Sequence, residues 1–397
     1  MIKKILIIGA GFLQSFIIRK AKEMGYYTLA VDADPAAPGF AFADKYGVVN
    51  IVDEKACLTF ARENQVDGVL TAATEYGVLS AAYIAQEMNL PGLNYESARI
   101  IKNKYLTKKC FIENQVDDSD EQVYEVGPDT DVTELAHKLH YPVMVKPCDG
   151  SGSRAAGRVD SPADLPGACI IAIRSSMKRR AEIETFYSGQ EYGAECIVIN
   201  GEIIVLAIMK KKMTSPPYYA ELGHAIPCGL QAETERKARE CVTKAIKALD
   251  INSGAVNIDM LITDEGEIHI VDIGARMGGN MIGPCVVPYG TGIDYMAAII
   301  QTALGDPVNL QVREHCAVAT RLLAFRNGTV KRLPDFEALQ KEYNVEIYHH
   351  LKVGDNVNEY HTNLDGCGYI VARADSLESA EAAAEKVLNQ ITDYIFE

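Results

Sequence analysis

The chain has 397 residues, 48% hydrophobic and 23% charged, enough for two or three domains with a sizeable core. Its 39 basic residues against 54 acidic ones give a formal charge of −15, the wrong sign for a protein that neutralises many phosphates of a nucleic acid. Ten cysteines stand singly with no CxxC pair, which predicts reduced thiols in a cytoplasmic protein without structural zinc. The apolar stretch before Ala10 is too short for a signal peptide or a membrane span, so no membrane partner is expected.

In chain order, residues 4–8 read as a strand ending at Gly9, followed by a helical pattern to Met24 and a second strand over 27–32. A strand over 48–52, a helix from Ala56, a strand over 68–71 and a helix over 78–88 continue the alternation. This predicts an α/β, Rossmann-like N-terminal domain over 1–93 with a parallel sheet covered on both faces. Gly9-Ala10-Gly11, with Asp32 at the end of the next strand, has the outline of a dinucleotide turn. Gln14 argues against nicotinamide binding, because a long polar side chain stands where the third glycine lets helix and strand approach.

Residues 97–114 read as one helix inside a linker over 94–121. Over 122–201, short β-rich runs around a helix at 163–177 predict a small α+β lid. A larger α+β unit over 202–315 has a helix at 233–249, strands at 255–263 and 267–273 joined by the turn Asp264-Glu265-Gly266, and a helix at 294–304. A β-rich C-terminal extension over 316–397 carries strands at 318–325, 345–349 and 369–374, then a helix at 377–391. The basic runs Lys178-Arg179-Arg180 and Lys210-Lys211-Lys212 read as solvated faces.

Chemistry concentrates in three places. In YPVMVKPCDGSGSRAAGRV, a β-branched strand delivers Lys146 into the loop Asp149-Gly150-Ser151-Gly152-Ser153, placing an ammonium beside backbone N–H groups as a phosphate cradle. Asp259 and Asp272, thirteen residues apart on consecutive strands, are near enough to face one divalent cation, and two carboxylates with phosphate oxygens and water suit Mg²⁺. Arg276 and Gly278-Gly279 follow directly.

With these motifs in this order, nearly the whole chain resembles the ATP-grasp superfamily, whose members phosphorylate a carboxylate with ATP and pass the acyl group to an amine. Asn103-Lys104 resembles the first phosphate-binding lysine, VKPCDGSGSRAAGRV the second lysine and its flexible loop, and GEIHIVDIGARMGG the metal-carboxylate and arginine segment. The resemblance implies ATP with Mg²⁺ as cofactors, or Mn²⁺ in its place. ATP would lie against Lys104, Lys146, Gly150, Ser151, Gly152 and Ser153. AEIETFYSGQEYGAE resembles the adenine and ribose segment, with Glu184 accepting from the adenine amino group, backbone at Phe186 and Tyr187 pairing with the ring edge, and Glu191 accepting from the ribose. Two departures stand out: the second carboxylate is Asp272 where glutamate is commoner, and Gly274 replaces an asparagine that completes the metal shell in many members.

TSPPYYAELGHAIPC and the C-terminal segments resemble the L-amino-acid ligase branch and its biotin-carboxylase-like relatives. Glu221, 38 residues before Asp259, is then a further metal carboxylate, and His224, Arg276 and Lys146 are catalytic. The function implied is an ADP-forming carboxylate–amine ligase acting through an acyl phosphate, with Arg276 stabilising the oxyanion. A bicarbonate-using enzyme and a non-catalytic ATP-binding protein of the same fold are the alternatives. Small-molecule carboxylates and amines are the expected partners; relatives of this kind are often homodimers.

Overall fold

The computed structural model describes residues 2–117 and 121–397. Strands β1 (Lys4–Ile8), β2 (Tyr27–Asp32), β3 (Lys45–Val48) and β4 (Gly68–Thr71) form a parallel sheet in the order β3-β2-β1-β4. After Lys4, β1 is continuously apolar and buried, as a parallel strand covered on both faces must be. The third strand begins at Lys45, three residues before the expected start. At the glycine turn, Gln14 Nε2 donates to the Ala72 carbonyl at 2.6 Å, and Asp32 Oδ2 accepts from the Ala10 N–H at 2.8 Å. Gln14 thus fills the space that a third glycine would leave open.

The helix expected over 97–114 is two helices, Tyr95–Ile101 and Lys104–Glu113. Asn103 breaks it: its backbone is extended and its side chain caps the Leu106 N–H, so Lys104 opens a new helix.

A four-stranded sheet of β5 (Val123–Val126), β6 (Val143–Pro147), β7 (Gly157–Val159) and β8 (Ala181–Thr185), in the order β5-β8-β6-β7, forms the small lid with the helix Leu165–Ser175. Its core, including Val143, Val145, Leu165 and Ile183, is separate from the others. The sheet ends at Thr185. The strand β9 (Gln190–Ile199), which sequence grouped with the lid to residue 201, instead pairs with β10 (Glu202–Met213) and β12 (Gly254–Ile262) in a second, larger sheet.

That sheet also holds β11 (Glu221–Ile226), β13 (Ile268–Gly274) and β14 (Ala317–Leu322). Past the two-residue ladder of β15 (Gly328–Thr329) and β17 (Asn356–Val357), it takes in β16 (Val345–His349) and β18 (Gly368–Ala374). The order is β13-β12-β9-β10-β11-β14-β18-β16, antiparallel throughout. The C-terminal strands β14, β16 and β18 therefore extend the central sheet, and only β15 and β17 pair apart from it. One core runs from Ile5 and Ile7 of the first sheet to Ile197, Val318 and Val371 of the large one. The N-terminal and central layers share that core; the lid does not. Among the described residues no helix is long and apolar enough to cross a membrane, and all ten cysteines are free.

Candidate active site

A cleft of about 1270 Å³ lies between the lid, the large sheet and the loop after β4. It exceeds the roughly 300–1,000 Å³ of a pocket for one small ligand, so it has room for a nucleotide and a second substrate. The lysines, the loop glycines and serines, Glu184, Phe186, Tyr187, Glu191, Glu221, both aspartates and Arg276 all line it.

Lys146 projects from β6 across to the large sheet, donating to the Val271 carbonyl at 3.1 Å and pairing with Glu184 at 2.6 Å and Glu182 at 3.6 Å. Burial lowers its pKa, but Glu184 and Glu182 outweigh that and hold the ammonium charged. Lys104, first residue of its helix, pairs with Asp272. Burial would raise the Asp272 pKa; Lys104 and Lys146 reverse this and keep the carboxylate ionised.

The Gly/Ser loop is held at three points. Gly152 has φ +65°, and a Cβ there would meet the Asn363 amide at 2.4 Å. Ser153 Oγ donates to the Tyr219 carbonyl at 2.8 Å, and Arg154 donates to the Tyr76 hydroxyl at 2.8 Å. Elements from all three layers thus meet on the loop.

At the end of β8, Glu184 Oε2 is buried and accepts no hydrogen bond, with Lys108 Nζ 3.8 Å away. The Phe186 N–H is used by the Pro142 carbonyl at 3.3 Å. Tyr187 stacks on His269 with ring centroids 3.5 Å apart.

The expectation of a solvated lysine run fails at Lys211. A β-strand turns alternate side chains to opposite faces, and β10 extends through the run. Lys210 and Lys212 pair with Glu381 and Glu385 of the C-terminal helix, while Lys211 is 2% exposed and points into the cleft. There it meets Glu221 at 2.7 Å, Asp259 at 2.8 Å and Glu191 at 3.2 Å. Burial pushes Asp259 up to about 6 against the pull of Lys211, and Lys211 brings Glu221 down to about 2 despite burial. Three carboxylates share one ammonium, leaving an excess of negative charge for a further cation.

Glu221 and His224 are three apart, which in a regular strand would send them to opposite faces. They share a face because the β10–β11 register shifts: Met213 faces Glu221 and Lys212 faces Gly223, so Leu222 is an extra residue. His224, 2% exposed, lies behind Glu221 with its Nε2 3.9 Å from Oε1 and does not line the cleft. His224, expected to be catalytic, is thus separated from the cleft by Glu221.

Asp259 and Asp272 stand directly opposite one another on β12 and β13. Glu221, expected as a third metal carboxylate, is taken by Lys211 and by Asn280. Among the described residues no three acidic, imidazole or thiol side chains converge to hold a metal ion. The two aspartates remain hard oxygen donors that fit Mg²⁺.

Arg276 is fixed by Glu75 at 2.6 Å and by Asn257 Oδ1 at 3.1 Å. Glu75 was missed in the sequence, although it follows β4 at the carboxyl end of a parallel sheet, where ligand-facing residues gather. The loop is brought there by a bridge between Ala72 and Met277. For Lys211 the signal was the alternation inside a long strand; for Asn280 the sequence offers none.

Residues 139–284 match the model of the ATP-grasp domain. That match places an ATP-grasp domain in the middle of the chain. Residues 321–393 match the L-amino acid ligase C-terminal domain 2, so the C-terminal segment is similar to that domain. The chain is 23% identical to uncharacterized protein y4rH of Sinorhizobium fredii over 94% of its own length and 79% of that protein. Among solved structures it superposes on the L-amino acid ligase from Bacillus licheniformis with a TM-score of 0.83, at 23% identity over 98% of this chain and 97% of that one. The biotin carboxylase domain of the Hydrogenobacter thermophilus 2-oxoglutarate carboxylase, solved with MgADP and bicarbonate, matches with a TM-score of 0.76 at 17% identity, over 98% and 90% of the two chains.

Proposed function

We propose that the protein uses ATP to join a carboxylate to an amine through an acyl phosphate, with an amino acid as a substrate. The observation that carries this is the convergence in one cleft of the Lys104–Lys146–loop cradle with the nest of Glu191, Glu221 and Asp259 around Lys211. The buried acceptor Glu184 Oε2 suits the adenine amino group, which would satisfy it.

A carboxylate is a poor electrophile because its charge is delocalised and its leaving group is oxide. Lys104, Lys146 and the loop amides would hold the triphosphate and offset charge developing on the transferred phosphoryl group. Asp259 and Asp272 would hold Mg²⁺, which when bound screens the phosphate charge. Closing of the Gly/Ser loop onto Tyr219, Asn363 and Tyr76 excludes water that would hydrolyse the acyl phosphate. Arg276, clamped by Glu75, would stabilise the oxyanion formed when the amine adds. The excess negative charge of Glu191, Glu221 and Asp259 around Lys211 would attract a substrate ammonium. Bicarbonate has no such group.

The test is phosphate release from ATP and Mg²⁺ with amino acids and simple carboxylates, singly and in pairs. Release that requires an amino acid supports the reading. A response to bicarbonate alone, or ATP binding without turnover on any pair, overturns it in favour of a carboxylase or a binding protein.

A further inference from the structure

We propose that Asn257 on β12 supplies the neutral oxygen of the divalent-cation site, the place that Gly274 leaves without a side chain. The inference rests on the ATP-dependent reading above. In the β12–β13 hairpin, Asp259 faces Asp272 and Asn257 faces Gly274. Residues two apart on a strand share a face, and diagonal neighbours across two strands are within reach of one another's side chains. Asn257 therefore stands beside both aspartates, on the face that lines the cleft.

Gly274 cannot take the role. A Cβ at this position would lie 2.3 Å from Glu75 Oε1 and 3.3 Å from Arg276 Cζ, because the ion pair that fixes Arg276 fills the space. A side chain at 274 would have to push the Glu75 carboxylate away from Arg276. The side chain directly across the ladder is the nearest substitute.

The amide of Asn257 is already oriented. Glu195, fully buried and opposite Asn257 on β9, hydrogen-bonds with its side chain, while Oδ1 faces Arg276 Nη1 at 3.1 Å. With its NH₂ turned to Glu195, the oxygen accepts from Arg276 Nη1 and keeps a second lone pair. No third carboxylate among the described residues joins Asp259 and Asp272. Two carboxylates and one amide oxygen balance a divalent charge and match the oxygen donors that Mg²⁺ accepts.

The experiment is calorimetric titration of the full-length protein with ADP, with and without Mn²⁺. In the parent, Mn²⁺ should strengthen ADP binding. Asn257→Ala should lose about tenfold of that strengthening while its metal-free ADP affinity stays parental, and Asn257→Asp should keep it. Should Asn257→Ala fail to fold, Asn257→Leu keeps the volume, lacks the oxygen and should show the same loss. Parental strengthening in the Ala or Leu variant overturns the inference, as does a parent that binds ADP with no response to Mn²⁺. A parent that binds no ADP at all overturns the ligase reading and takes this inference with it.

Discussion

Lys211 Nζ lies 2.8 Å from Asp259 Oδ1, and that ammonium is the only protein cation within ion-pair distance of Asp259 among the described residues. Lys211→Met should leave Asp259, Glu221 and Glu191 facing one another without it. Turnover should fall at least 100-fold. Stability should fall by about 2–3 kcal/mol, less than the 3–5 kcal/mol of a fully buried pair because these carboxylates are partly solvated. Steady-state phosphate release and urea denaturation check the two effects, and near-parental values in both would exclude a central role for Lys211.

Lys146 has a structural duty besides its place in the phosphate cradle. Glu182 is fully buried and Glu184 nearly so, and burial, opposed by Lys146, pushes the Glu182 carboxyl up to about 7. Lys146→Ala strands Glu182, leaves Glu184 only Lys108 at 3.8 Å, and should cost about 3–5 kcal/mol of stability as well as ATP affinity. Adding Glu182→Gln should restore part of the stability and none of the affinity, as read by denaturation and nucleotide titration.

Gly152→Ala puts a methyl group where the Asn363 amide lies, at a backbone φ of +65°. The left-handed conformation alone disfavours alanine by roughly 1–2 kcal/mol. The Michaelis constant for ATP should rise several-fold with the fold intact. Asn363→Gly in the same chain should recover the steric part and leave the conformational part. Stopped-flow nucleotide binding measures both.

Stability should depend on His224 in acid. Burial pushes its imidazole down to about 4, against the pull of Glu221, whereas an unfolded histidine titrates near 6.5. Between these values the unfolded chain binds a proton that the folded chain refuses. The stability is complete above pH 6.5 and is lost as the pH falls toward 4, a change on the order of 3 kcal/mol. His224→Gln should flatten that part of the pH profile relative to the parent in urea denaturation from pH 4 to 8. Parallel profiles would count against a buried neutral imidazole.

Local patterns were enough to read the parallel N-terminal sheet, the Lys146 loop and the Asp259–Asp272 hairpin. Each depends on neighbours in sequence: β-branched runs make strands, glycine permits the turn, and a short hairpin brings two strands into register. The adenine and ligase segments, by contrast, were legible only through family resemblance, since lone acids on strands carry no local signal. Tertiary structure decided what has no local cause. Lys211 looks like a surface charge until β9 and β12 deliver carboxylates to its face, and Glu221 shares that face with His224 only because Leu222 bulges. Glu75 reaches Arg276 across two domains, 201 residues away in the chain, through a bridge at Ala72 and Met277 that no pattern in either segment announces. A strand's sequence fixes the alternation of its own side chains, whereas the charge they meet depends on which strands pair beside it, and that is set by the packing of the whole core.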